Sequence, residues 1–133
     1  MRFLLDTDIF SAIAARRHTG ALERLSALPD GAACVCWITL GEVAFGLRRN
    51  KPAQRTLSGI ESLRRSLAKL PLDEPVVEQY ARLRAALEAK GRPIGPNDSW
   101  IAAHALAHGL TLVTGNEREY RRVPGLRVEN WLV

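Results

Sequence analysis

A chain of 133 residues suits one compact domain, and 47% hydrophobic residues are enough to bury a core. No apolar run approaches the roughly 20 residues that cross a bilayer, and the opening Met1-Arg2-Phe3-Leu4-Leu5-Asp6 turns acidic too soon for a secretory leader, so a cytoplasmic protein is expected. The net charge of +5 and a pI of about 9.9 point to an anionic partner, nucleic acid first, against a basic surface kept for solubility.

Phe3-Leu4-Leu5 predicts a buried strand that stops at Asp6. Ile9 to Ala15 reads as a helix with Thr7 or Asp8 able to cap it. Gly20 to Leu28 reads as a second helix, halted by the turn Pro29-Asp30-Gly31. Cys34 to Ile38 predicts the second strand. Cys34 and Cys36 are the only cysteines, two apart on one strand face and without further zinc ligands, so they read as small buried hydrophobes. Thr39 opens a helix to about Arg49, Ala53 to Leu70 has helical periodicity, and Pro71-Leu72-Asp73 is extended. Glu74 to Lys90 predicts a helix with Val77, Tyr80, Ala81, Leu83 and Leu87 on its apolar side. Gly91 to Pro96 is a loop, Asp98 to His108 a helix stopped by Gly109, Leu110 to Thr114 a strand, and Leu126 to Val128 a last short strand after a polar loop. Strands alternating with helices predict a single α/β domain, a three-layer α/β/α sandwich around a mostly parallel sheet.

Four acidic segments fall where such elements begin or end: Asp6-Thr7-Asp8, Glu42, Asp98, and Asn116-Glu117-Arg118-Glu119. A parallel sheet brings the carboxyl ends of its strands to one rim, where these residues can converge. Converging carboxylates repel unless a cation lies between them, and a hard divalent ion with oxygen ligands fits that need. Plainer roles compete. Asp6 or Asp8 can cap a helix, Thr39-x-x-Glu42 can be a capping box, and Asp98 can complement a helix dipole with Asn97 as the cap. His104 and His108 have zinc-like spacing but no third ligand, and His18 reads as solvated. Arg48, Arg49 and Lys51 follow the Glu42 helix, and Arg118, Arg121 and Arg122 flank the fourth segment, as expected of cations gripping a polyanion around a cut.

Leu4-Leu5-Asp6-Thr7-Asp8 resembles the opening of PIN-domain proteins. Ile38 to Leu47 around Glu42, and Gly91 to Ala105 around Asp98, resemble their second and third motifs. Leu112 to Tyr120 and Val123 to Trp131 resemble the C-terminal signature of the VapC toxins, so the likeness runs the length of the chain. The resemblance implies the PIN fold and a Mg²⁺- or Mn²⁺-dependent endoribonuclease acting on structured RNA such as a tRNA. It implies Asp6, Glu42 and Asp98 as catalytic metal ligands. It also implies a homodimer inhibited by a cognate VapB-type antitoxin in a hetero-oligomer. Asp8 stands where relatives often have Asn. Asn116 stands where many carry a fourth acid, a role left to Asn116 itself, Glu117 or Glu119. Two other readings compete: a basic RNA- or protein-binding module without chemistry, and a structure-specific DNA nuclease of related fold.

Overall fold

Five short strands form one sheet, in the order β3-β2-β1-β4-β5, with every neighbouring pair parallel. The chain, described over residues 1–133 in a computed structural model, runs β1 (Phe3–Leu5), α1 (Thr7–Ala14), α2 (Thr19–Ser26), β2 (Ala33–Cys36), α3 (Trp37–Arg49) and α4 (Gln54–Ser66). It continues β3 (Ala68–Leu70), α5 (Glu74–Ala89), α6 (Pro96–His108), β4 (Thr111–Val113), α7 (Glu117–Tyr120) and β5 (Val128–Glu129). The three-layer expectation holds. Phe3, Leu5, Val35 and Val113 pack under α1, α2 and α4, while Leu4, Cys34, Cys36 and Leu112 pack under α5 and α6. With both faces covered, the inner strands β1 and β2 read as unbroken apolar runs rather than alternating ones. Both cysteines are buried and unbridged. Tyr80 stacks on Trp100 with centroids 3.7 Å apart, joining α5 to α6. No helix is long and apolar enough to cross a membrane.

Five local expectations are corrected. β2 ends at Cys36, and α3 begins at once with Trp37. Cys36 pairs with Leu70, the last residue of edge strand β3, so the ladder has no partner beyond it. Thr39 therefore lies inside the first turn, buried and 3.8 Å from Cys36 Sγ, and the Thr39–Glu42 capping box does not form. The periodic run to Leu70 breaks at Ser66 because Ala68 to Leu70 pairs with β2; tertiary pairing overrides helical propensity. On α5 the buried residues are Val76, Leu83 and Leu87, with Val77 and Ala81 turned outward. Glu117 to Tyr120, expected as loop, forms the short helix α7. A smaller difference concerns His18, whose Nδ1 accepts the Ala21 N–H and caps α2.

Candidate active site

The strand order reverses across β1 and β4, which places the topological switch point, and the crevice beyond it, at their carboxyl ends. Asp6 follows β1 directly. It caps α1, in place of Thr7 or Asp8: its Oδ1 accepts the Thr7 N–H at 2.6 Å. Its Oδ2 accepts the Thr114 hydroxyl, just past β4, at 2.8 Å, and the residue is only 5% exposed. Asp8 has a different fate two residues on. Its Oδ1 accepts the Ile9 N–H and its Oδ2 the Gly115 N–H, which fastens α1 to the loop after β4. A Cβ on residue 115 would stand 2.7 Å from both Asp8 Oδ2 and Leu132 Cδ1, so any other residue there would have to displace those side chains.

Glu42 reaches the same rim from α3. Its Oε1 accepts the Thr7 hydroxyl, and its Oε2 accepts the Asn97 side-chain N–H at 3.3 Å. Glu42 is thus bonded to the residue after Asp6 and to the residue before Asp98. Asp98 sits in the first turn of α6, which is capped by Gly95 rather than Asn97 and has Pro96 at its start. Tyr120, at the end of α7, donates its hydroxyl to Asp98 Oδ1 at 2.9 Å. Glu119 accepts the Gly95 N–H at 3.0 Å through Oε1 and the Asn116 side-chain N–H at 2.8 Å through Oε2. Glu117 turns away to Arg121, 3.5 Å distant. Asp6, Glu42, Asp98 and Glu119 therefore share one rim; Asp8 lies close enough to repel Asp6 but spends its oxygens on backbone N–H groups, and Glu117 faces Arg121.

Burial pushes the Asp6 carboxyl up to about 7, with repulsion from Asp8 and Asp98 adding to it against the stabilising Thr7 and Thr114 bonds. Burial likewise raises Asp98 to about 6; the Tyr120 bond opposes this, and Glu119 and Glu42 reinforce it. The Tyr120 hydroxyl is itself pushed far up, by burial first and then by the Asp6 and Asp98 charges. Burial opposes a downward shift at Glu119, but the Gly95 N–H and Asn116 amide outweigh it and hold the carboxyl below its usual range. Every hydrogen-bond donor to Asp6, Glu42 and Asp98 is neutral. None of the five ion pairs in the protein includes any of the three.

Crowded carboxylates with neutral donors and no side-chain cation are a donor set that suits a hard divalent ion. The arrangement is open: no three acidic, His or Cys side chains already meet at metal-ligand spacing.

The basic residues surround this centre at different distances. Arg48 and Arg49 lie in the last turn of α3, about 9 Å along the helix from Glu42, and are exposed with Lys51 beyond them. Arg49 also covers the Phe45 ring. Arg118 is exposed on α7, Arg121 pairs with Glu117, and half-buried Arg122 donates to the Pro93 carbonyl at 3.1 Å. His104 is buried with Nδ1 against the Trp100 carbonyl, and His108 faces Asp73, so neither approaches the rim. The sequence reading missed Tyr120. Its involvement depends on α7, a single turn too short to produce a periodic signal.

The PIN-domain family model matches residues 3–126. The chain is 36% identical over 131 residues to the tRNA(fMet)-specific endonuclease VapC of Shigella flexneri, with 98% of each protein covered. It is 35% identical to ribonuclease VapC2 of Haemophilus influenzae strain Rd, over 99% of each. Among solved structures, VapBC2 of Rickettsia felis, bound to a DNA fragment from its promoter, matches with a TM-score of 0.90. That match has 31% identity and covers 98% of this chain and 99% of the other. DNA-bound VapBC of Salmonella typhimurium matches with a TM-score of 0.89 at 34% identity, covering 98% of each chain. By sequence over nearly its whole length and by fold, the chain belongs to the PIN-domain family and, within it, to the VapC toxins.

Proposed function

We propose that the protein is the toxin of a toxin–antitoxin pair, an endoribonuclease that hydrolyses phosphodiester bonds with Mg²⁺ or Mn²⁺. The observation that carries this is the group of three carboxylates at the switch point, each held by neutral donors and none paired with a cation. Asp6, Glu42 and Asp98 would hold the ion, with Glu119 as a further acid beside Asp98. When bound, such an ion supplies an activated water and offsets charge on the phosphorane-like transition state. The protein's own groups prepare that chemistry. Thr7 and Thr114 fix the carboxylates of Glu42 and Asp6, and Asn97 ties α6 to α3 across the rim. Arg48, Arg49, Lys51 and Arg118 are the exposed cations available to hold phosphates on either side of the cut. The Shigella relative is named for tRNA(fMet), and a structured RNA such as a tRNA is the substrate class we assign.

The partner is a VapB-type antitoxin, in keeping with the VapBC complexes among the solved structures. A cavity of about 290 Å³ lies between α1, α3 and α4, lined by Val43, Leu47 and Ile60 among others. It suits an amphipathic helix of the antitoxin, with exposed Phe45 at hand and buried Leu40 serving the core instead. An antitoxin arginine placed among Asp6, Glu42 and Asp98 would supply the cation they lack. The toxin itself is taken to pair as a homodimer within that hetero-oligomer.

Purified protein incubated with a mixed RNA pool tests the reading. We expect cleavage with Mg²⁺ or Mn²⁺, none with EDTA, and no preference for flapped DNA. RNA bound but uncut in every divalent ion would favour the non-enzymatic binding module. In cells, growth arrest should appear only when the neighbouring antitoxin frame is left out. Sequencing RNA ends after a pulse of expression would then identify the cut.

A further inference from the structure

Tyr120 is fully buried in the core shared with α5 and α6, where a phenylalanine would fill the same space without a hydroxyl to satisfy. A buried hydroxyl is costly unless it is bonded. This one bonds not to a backbone carbonyl but to a side chain at the site, donating to Asp98 Oδ1 at 2.9 Å. The residue before it, Glu119, accepts the Gly95 N–H at 3.0 Å. α7 therefore grips the start of α6 twice, once through backbone and once through the Asp98 carboxylate. Glu119 and the buried aromatic ring hold the helix to the core independently of the hydroxyl. What the hydroxyl adds is a bond to the Asp98 carboxylate, with the Asp6 charge also close enough to act on it.

The geometry points to Tyr120 as a positioning residue of the site, its hydroxyl fixing the Asp98 carboxylate in the orientation that a divalent cation requires. This rests on the nuclease reading above. Groups that orient a metal's ligands typically change affinity or activity by about 10- to 100-fold when removed. A phenol is well suited here: it donates without bringing a charge, so it orients the acid while leaving its negative charge for the ion.

Tyr120→Phe separates packing from orientation. By calorimetry, Mn²⁺ affinity should fall about 10-fold, and kcat should fall while KM for RNA holds. The metal-free melting temperature should stay close to that of the unsubstituted protein. In an Asp98→Asn background the same substitution should change Mn²⁺ binding no further, because the group it orients is gone. A second measurement needs no substitution in the site. Tyr80 and Tyr120 are the only tyrosines, so 3-fluorotyrosine labelling gives two ¹⁹F resonances, assigned with Tyr80→Phe. Added Mg²⁺ should move the Tyr120 resonance and leave that of Tyr80 in place. Full Mn²⁺ affinity in Tyr120→Phe, or a Tyr120 resonance that stays still while Mg²⁺ binds, overturns the inference alone. If Tyr120→Phe does not fold, the resonance decides. A failure of the unsubstituted protein to bind any divalent ion overturns the metal-centre reading and this inference with it.

Discussion

The two halves of the acidic rim are built differently. Asp6 is buried and Asp98 half-buried, and desolvation raises their carboxyls to about 7 and about 6. Glu42 stands on the α3 side, half-buried, held by a threonine hydroxyl and an asparagine amide. The deep half stores repulsion that a cation would relieve. The shallow half supplies a carboxylate that can adjust to whatever occupies the rim. A substitution in the deep half should thus change stability and chemistry together, and one in the shallow half chemistry alone.

The largest effect should come from the deep half. Asp6→Asn and Asp98→Asn each remove a charge with little change of shape. RNA cleavage should fall at least ~100-fold, about 2.7 kcal/mol of transition-state stabilisation. Asparagine still serves as an N-cap at position 6, so metal-free Asp6→Asn should melt higher than the unsubstituted protein above neutral pH. Cleavage at the original rate in Asp98→Asn would break the comparison at its root.

Next in size is the pH dependence of the metal-free protein. In the folded chain Asp6 and Asp98 keep protons at pH values where the unfolded chain, with carboxyls near 3.8, has released them. The folded state then binds more protons, so the stability these groups confer is complete below 3.8 and is lost as pH climbs through about 6 and about 7. Urea unfolding in EDTA should show stability dropping on the order of 2 kcal/mol from mildly acid to mildly alkaline pH. Mn²⁺ should restore it at the alkaline end by binding only the folded state. Stability that rises with pH over this range would contradict the buried, unpaired state of these acids.

Glu42→Gln tests the shallow half. Because α3 starts at Trp37, Glu42 is no cap, and glutamine can accept the same Thr7 bond. The melting temperature should barely move while cleavage falls roughly 10-fold, about 1.4 kcal/mol. A silent variant by both measures would leave the deep half as the whole site.

How much of this was legible in the sequence follows the same division. Asp6, Glu42 and Asp98 stand at element ends, and strand–helix alternation was enough to gather them on one rim. What holds them was not legible. The Thr114–Asp6 bond joins residues 108 apart, and the Tyr120–Asp98 bond depends on a one-turn helix without periodicity. The capping box failed for a related reason: the end of β2 is set by its pairing with β3, and β3 lay hidden inside an apparently helical run. Local pattern placed these acids at element ends, and long-range pairing decided what each of them touches.

The smallest effects belong to the fourth segment, where Asn116 replaces the acid many relatives carry. Glu119 lies against Asp98, whereas Glu117 faces Arg121, so the two glutamates should behave differently. Glu119→Gln removes one negative charge beside Asp98, and should weaken Mn²⁺ binding a few-fold. Glu117→Gln should leave it unchanged. Asn116→Asp replaces an amide that now donates to Glu119 with a further carboxylate at the rim, and should tighten Mn²⁺ at some loss of metal-free stability through the added repulsion. Calorimetry on the three variants ranks them. Equal affinities throughout would take α7's acids out of the metal's surroundings and leave the segment only its grip on Gly95, because that bond is made to backbone and glutamine at 119 can accept it as well.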